Sequence, residues 1–227
     1  MIIVSEPDGS GLKNIVLRLG GFHTEMSFLG SIGHLMAGSG LQDVLESFYA
    51  SSTVVHMLSG KAIARAIRGH FMVDAVLNAL ILASSYNAPI PALEMETEEL
   101  METAGSADRQ PDLDEAALLY DKLMKGMMSA EQVCQDEVIG KISNALQEKK
   151  EYFKFSRTAA LWLQYMDMID LLRKYIRAER TGNWELHLQT VSEMLPYLAA
   201  SGHNNYTKSA WLYLQRMSRL HEDFPEV

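Results

Sequence analysis

Through most of this chain the apolar residues recur every three or four positions, the spacing of helices that bury one face. The pattern predicts helices over 22–37, closed by Gly38 and Gly40 as glycines close helices, over 41–49, and over 61–86, opened by Ser59. Further helices are expected over 113–127, 130–148, 157–180, 184–200 and 206–220, with Pro196 kinking or splitting the fourth of these. Strand-like patterning is confined to the start. "KNIVLRL", 13–19, is a β-branched run stopped by Gly20 and Gly21, and "IIVS" from Ile2 is a second candidate. Two strands do not make a sheet, so the expected fold class is mainly α, a helical bundle with one or two short N-terminal strands.

The pattern breaks once, in "NAPIPALEMETEELMETAGSADRQPD". Pro89, Pro91 and Pro111 bracket Gly105, Ser106 and a string of glutamates, which predicts an acidic linker over 88–112 between a unit 1–87 and a helical domain 113–227. Charge follows the same division. The net charge of −9 combines −1 for residues 1–87, −10 for 88–140, +5 for 141–220 and −3 for the final seven residues. A nucleic-acid contact needs a basic face. The third quarter of the chain supplies the candidates Lys149, Lys150, Lys154, Arg157, Arg173, Lys174, Arg177 and Arg180; ordinary i,i+4 pairing on a solvated helix surface is the simpler account of them.

With 227 residues and 48% hydrophobic content the chain can bury one good core or two small ones. Its single cysteine, Cys134, excludes an internal disulfide, and "MIIVSEPDGS" lacks the pattern of a signal peptide. An intracellular location, nucleus or cytoplasm, is expected. The longest apolar run, "FMVDAVLNALILASS" from Phe71, is shorter than the ~20 residues of a bilayer span and contains Asp74. It reads as a buried helix, with no membrane partner.

Candidate chemistry gathers in "RLGGFHTEMSFLGSIGHLMAGSGL", which starts at Arg18. On a helix beginning near Phe22, His23, Ser27, Gly30 and His34 form one stripe. Eleven residues separate the two rings by roughly 16 Å along the axis, so they cannot share a zinc ion whose ligands lie ~2 Å away. Gly30, Gly33 and Ala37 instead describe a face open to close backbone approach, and packing is the favoured role for both histidines. His70 and Asp74, four apart, allow a carboxylate to orient an imidazole, but no nucleophile accompanies them. GxxxxGK[ST] and HExxH are absent, and His23-Thr24-Glu25 carries the HxE of a zinc deaminase without its PCxxC. No metal or other cofactor is expected, and the fourteen methionines read as core filler.

Three segments carry a family resemblance: "NIVLRLGGFHTEMSFLGSIGHLMAGSGL", "HMLSGKAIARAIRGHFMVDAVLNALIL" and "YIRAERTGNWELHLQTVSEMLPYLAASGHNNYTKSAWLYLQRM". They resemble uncharacterised transposon-derived proteins that occur in many copies in animal genomes, and more distantly a transposon-linked domain of unknown function in fungi. "GGFH" and "SGHNNY" are the most specific pieces. Many DDE-type transposases with an RNase H-like core place a histidine shortly after the strand that bears their second catalytic aspartate. By that likeness 13–19 is such a strand, His23 the following histidine, and Glu179 or Glu185 the last acid of the core. The departure is that residues 13–19 contain no aspartate, whereas two-metal chemistry needs several converging carboxylates. The resemblance therefore implies the back portion of a larger α/β protein: a transposon-derived fragment without catalysis of its own, serving as an interaction or assembly module through a protein partner or self-association. The alternative it implies is a remnant of a metal-dependent transposase or nuclease, or a helical DNA-contacting domain.

Overall fold

The computed structural model describes residues 17 to 86 and 113 to 220. Among them are ten helices and no strand, so the chain is mainly helical. Leu17–Gly20 is irregular. The rest of the expected strand 13–19, the run from Ile2 and the linker 88–112 lie outside the described residues.

Contacts divide the chain into two units. One takes the described residues up to Gly69 together with those from Asp167 onward; the other runs from His70 to Met166. The divisions fall inside two long helices, α4 (Ile63–Tyr86) and α8 (Arg157–Thr181).

The first unit is built around α1 (Gly21–Leu35), which packs on α3 (Ser51–Leu58) and α9 (Trp184–Ala200). The short α2 (Leu41–Glu46) lies on α3, and α10 (Asn204–Met217) on α9. Phe28, Leu29 and Ile32 of α1, Met57 of α3, Met168 and Leu172 of α8 and Met194 of α9 are fully or almost fully enclosed. Turns are set by glycine: Gly60 (φ 75°) and Gly202 (φ 81°) follow the C-caps of α3 and α9 in the left-handed region. In the second turn Gly202 N–H donates to the Ala199 carbonyl and His203 N–H to that of Leu198, at 3.1 and 3.0 Å, the paired bonds of a Schellman end.

The close approach expected along α1 holds at Gly33 but not at Gly30, and Gly60 adds one that was not expected. A Cβ at Gly33 would enter the Leu58 carbonyl, 2.8 Å from its carbon, and one at Gly60 would meet the Met26 carbonyl, 3.1 Å from its carbon. At Gly30 a Cβ would find Ser59 O at 3.5 Å and the His203 ring at 3.7 Å, ordinary contacts.

The second unit contains the later part of α4, α5 (Leu113–Met124), α6 (Ala130–Gln135), α7 (Glu137–Phe153) and the start of α8. The expected helix over 130–148 is two helices. Asp136 ends α6 with extended backbone and caps α7, its Oδ1 accepting from Val138 and Ile139 N–H at 3.0 Å each. Ser129 and Gln132 form a reciprocal capping box on α6. α3 was not anticipated at all, and α9 runs unbroken through Pro196. The proline and Ser192, whose carbonyl it leaves without a helical donor, are both exposed, so water can serve that carbonyl.

α4 also corrects an expectation, because it is only partly buried. His70, Val73, Asp74 and Ile81 are enclosed, while Met72, Val76 and Leu80 lie on an exposed stripe. Ile63–Ser85 is long and apolar enough, by length and composition, to cross a membrane, although Arg65, Arg68 and Asp74 interrupt its apolar surface.

Candidate functional site

The most polar part of the first unit's interior lies where the start of α1 meets α8, α9 and α10. Glu179 of α8 reaches the first turn of α1, where a Cβ on Gly21 would fall 3.1 Å from the Glu179 carboxyl carbon. A side chain there would push the Glu179 carboxylate aside. Arg18, just before the helix, pairs with Glu179, and its guanidinium lies 5.8 Å over the Trp184 ring. His187 of α9 is enclosed, its side chain 1% exposed, with Nδ1 2.6 Å from Glu179 Oε1 and Nε2 2.9 Å from the Tyr213 hydroxyl of α10.

Chemistry fixes the protons in this chain. A carboxylate can only accept, so the His187 proton lies on Nδ1, Nε2 accepts, and Tyr213 O–H donates. Burial lowers the His187 pKa despite the Glu179 charge that opposes the shift. Burial likewise pushes Tyr213 up to about 12. Trp184 stacks on the imidazole at 5.4 Å and 15°. Glu25, half-buried on α1, has a raised pKa because of burial and then of the Glu179 charge, with Arg180 opposing. The result is a neutral histidine with both nitrogens engaged and a carboxylate countered by arginine, an arrangement that holds three helices in register.

A second cluster lies further along the same interface. Thr24 Oγ1 is 2.6 Å from the Tyr206 hydroxyl and donates to the Gly20 carbonyl at 3.0 Å. Ser201 O–H donates to Ser31 Oγ at 2.7 Å and Ser31 O–H to the Ser27 carbonyl at 3.0 Å. His203 Nδ1 lies 3.0 Å from Ser201 Oγ and 3.2 Å from Ser31 Oγ. Thr24 directly follows "GGFH", and Ser201, His203 and Tyr206 belong to "SGHNNY". The two most specific pieces of the sequence therefore lead into one interface.

The residues singled out from sequence fare differently. His23 and His34 are exposed, so packing is not their role; the buried face of α1 is the one bearing Thr24, Phe28, Ser31 and Ile32. His23 meets the Phe22 ring edge-on at 6.0 Å. Glu185 is exposed in the first turn of α9, and of the candidate acids Glu179 alone approaches the "GGFH" turn. His70 is fully buried in the second unit, with Nδ1 2.9 Å from the Tyr165 hydroxyl and Nε2 without a hydrogen-bond partner. Burial depresses its pKa to about 4.

Several of the basic candidates have acidic or aromatic company. Lys154 pairs with Glu151 at 2.6 Å, Lys174 with Asp170 at 2.8 Å, and Arg173 lies 3.9 Å from the same Asp170. Lys149 lies 5.6 Å over the Tyr152 ring. Lys149, Lys150, Lys154 and Arg157 belong to the second unit and Arg173, Lys174, Arg177 and Arg180 to the first. Among the described residues no group of three His, Cys, Asp or Glu side chains is placed to hold a metal ion.

The outer faces of α9 and α10 enclose an apolar groove of about 670 Å³, lined by Leu195, Pro196, Ala199, Thr207, Trp211 and Leu212 with Ser192 and Lys208 at its edges. Trp211 is 52% and Leu212 54% exposed.

These features define a helical protein whose first unit is tied together by histidine hydrogen-bond networks and presents an apolar groove. The chain belongs to the family described as a domain of unknown function (DUF8702), which matches residues 1–227. No curated protein and no solved structure matches it.

Proposed function

We propose that this chain is a transposon-derived assembly module that self-associates through the α9–α10 groove and performs no catalysis of its own. The groove carries the reading. Trp211, half exposed, lines the same groove as Leu195, Pro196 and Ala199, so a large aromatic ring and an apolar recess share one surface. That is the requirement for an isologous contact, in which each copy inserts its ring into the other's groove. Tryptophan is also the residue type that most often anchors such interfaces. The transposon origin rests on the resemblance of "GGFH" and "SGHNNY", and the non-catalytic reading on the closed state of the Glu179–His187–Tyr213 network, which leaves no basic nitrogen facing outward.

Sedimentation equilibrium of the wild-type chain against Trp211→Glu tests this. The expected result is a wild-type dimer and a variant monomer with unchanged circular dichroism. A wild-type monomer at every concentration up to about 0.1 mM overturns self-association.

A further inference from the structure

The Gly30–Gly33 face of α1 suggests a second site, independent of the groove. A cavity of about 740 Å³ opens between α1, the α1–α2 turn, α3 and the start of α10, within the ~300–1,000 Å³ usual for small-molecule sites. Its walls mix apolar side chains, Met36, Leu41, Val55 and Leu58, and the backbone of Gly30 and Gly33 with polar groups. Two imidazoles reach it, His34 from α1 and His203 from the Schellman turn between α9 and α10.

The state of that imidazole follows from its neighbours. Each serine hydroxyl has one proton and an acceptor for it, Ser31 giving its proton to the Ser27 carbonyl and Ser201 to Ser31 or to the Leu198 carbonyl at 3.1 Å. Their remaining lone pairs face His203 Nδ1. With the serine protons on those acceptors Nδ1 is the protonated nitrogen and Nε2 carries the lone pair, whereas a Ser201 proton turned onto Nδ1 gives the opposite tautomer. Among the described residues Nε2 has no hydrogen-bond partner. Gly30 lies alongside, where the absence of a side chain keeps the edge of the ring clear: a Cβ there would be 3.7 Å from both Nε2 and Cε1.

A buried serine pair against Nδ1, an Nε2 at the wall of a cavity of mixed lining, and a glycine that leaves the approach open together make a hydrogen-bonding site at that wall. We infer that this cavity binds a small, largely apolar molecule bearing one hydroxyl or N–H donor, which hydrogen-bonds to His203 Nε2. Asp43, Gln42 and His34 at the same cavity offer contacts for a second polar group. The inference does not depend on self-association, since none of these residues lines the α9–α10 groove.

Phenol, with toluene as its donor-free counterpart, probes the site on the full chain. Long-range proton–nitrogen spectra of the histidine rings should first show His203 with its proton on Nδ1. Phenol should shift the His203 Nε2 resonance saturably and bind about five- to tenfold tighter than toluene, the scale of one neutral hydrogen bond. His203→Phe should abolish that preference, and Gly30→Leu, which fills the space beside the ring without removing the imidazole, should abolish binding of both. A proton on Nε2, equal affinity for phenol and toluene, or phenol binding unchanged by Gly30→Leu overturns the proposal. If His203→Phe does not fold, the Gly30→Leu comparison decides alone.

Discussion

Two glycines one turn apart on α1 should respond to alanine with opposite signs. At Gly33 the new methyl group meets backbone, the Leu58 carbonyl carbon at 2.8 Å and its Cα at 2.9 Å. A carbonyl at the C-terminal end of α3 has no rotamer with which to yield, so α1 and α3 must separate. Overpacking of this kind costs about 1–3 kcal/mol, and contact with backbone places it at the upper end. Alanine returns about 1 kcal/mol of helix propensity, which leaves a net loss of about 2 kcal/mol. At Gly30 the nearest atoms are 3.5–3.7 Å away, no strain is added, and the propensity gain of about 0.5–1 kcal/mol should appear as added stability. Urea unfolding followed by tryptophan fluorescence reads both, since Trp184 and Trp211 report on this unit. A Gly33→Ala protein as stable as wild type, or a Gly30→Ala protein less stable than Gly33→Ala, would show that the α1–α3 spacing does not limit packing here.

Three further outcomes follow. Gly60→Ala should lose more stability than Gly38→Ala, because both have φ 75° but only at Gly60 does a Cβ meet a carbonyl, that of Met26; parallel urea titrations compare them. Thr24→Val and Tyr206→Phe should each cost about 1–2 kcal/mol by leaving the partner hydroxyl without its bond, and the double variant should cost less than their sum, as a double-mutant cycle measures. His70, whose folded pKa of about 4 lies below the ordinary 6.5, stays neutral in the fold while the unfolded chain takes up a proton. Stability should therefore fall as pH drops from about 6.5 to 4, by up to ~1.4 kcal/mol per unit from this group. His187, shifted the same way, adds to it. His70→Gln should reduce the slope, and an unaltered slope would mean that His70 is not the buried neutral base described.

How far the sequence reveals this molecule depends on where the deciding partner lies. α1, α8 and α9 are legible because apolar spacing and the glycines at their ends are local signals. α3 escapes because Thr53, Val54 and Val55 favour strands and nothing in "SSTVVHML" marks a start; the helix is held by burial of Val54 and Met57. Asp136 escapes as a boundary because one aspartate within a helical pattern looks like surface until its carboxylate is seen accepting two amides. The histidines show the limit most plainly. His23 and His34 attract attention through their neighbours in sequence and prove exposed, whereas His187 and His203 acquire their roles from Arg18, Tyr213 and Ser31, most of them far along the chain. "SGHNNY", one of the pieces that carry the family resemblance, is the available signal for His203, and it carries no geometry.

The same long separations have a consequence for the order of events during synthesis. Thr24 meets Tyr206 across 182 positions, Ser31 meets Ser201 across 170, and Arg18 meets Glu179 across 161. At ~5–20 residues per second, α1 is complete roughly 8 to 34 s before the residues that occupy its polar buried face exist. During that interval Thr24 and Ser31 must find water or a chaperone, and the first unit can assemble only after the intervening one has been made. Its formation is thus timed by the last helix to emerge, and a ribosome stalled before α10 would release α1 with its most polar inner face uncovered.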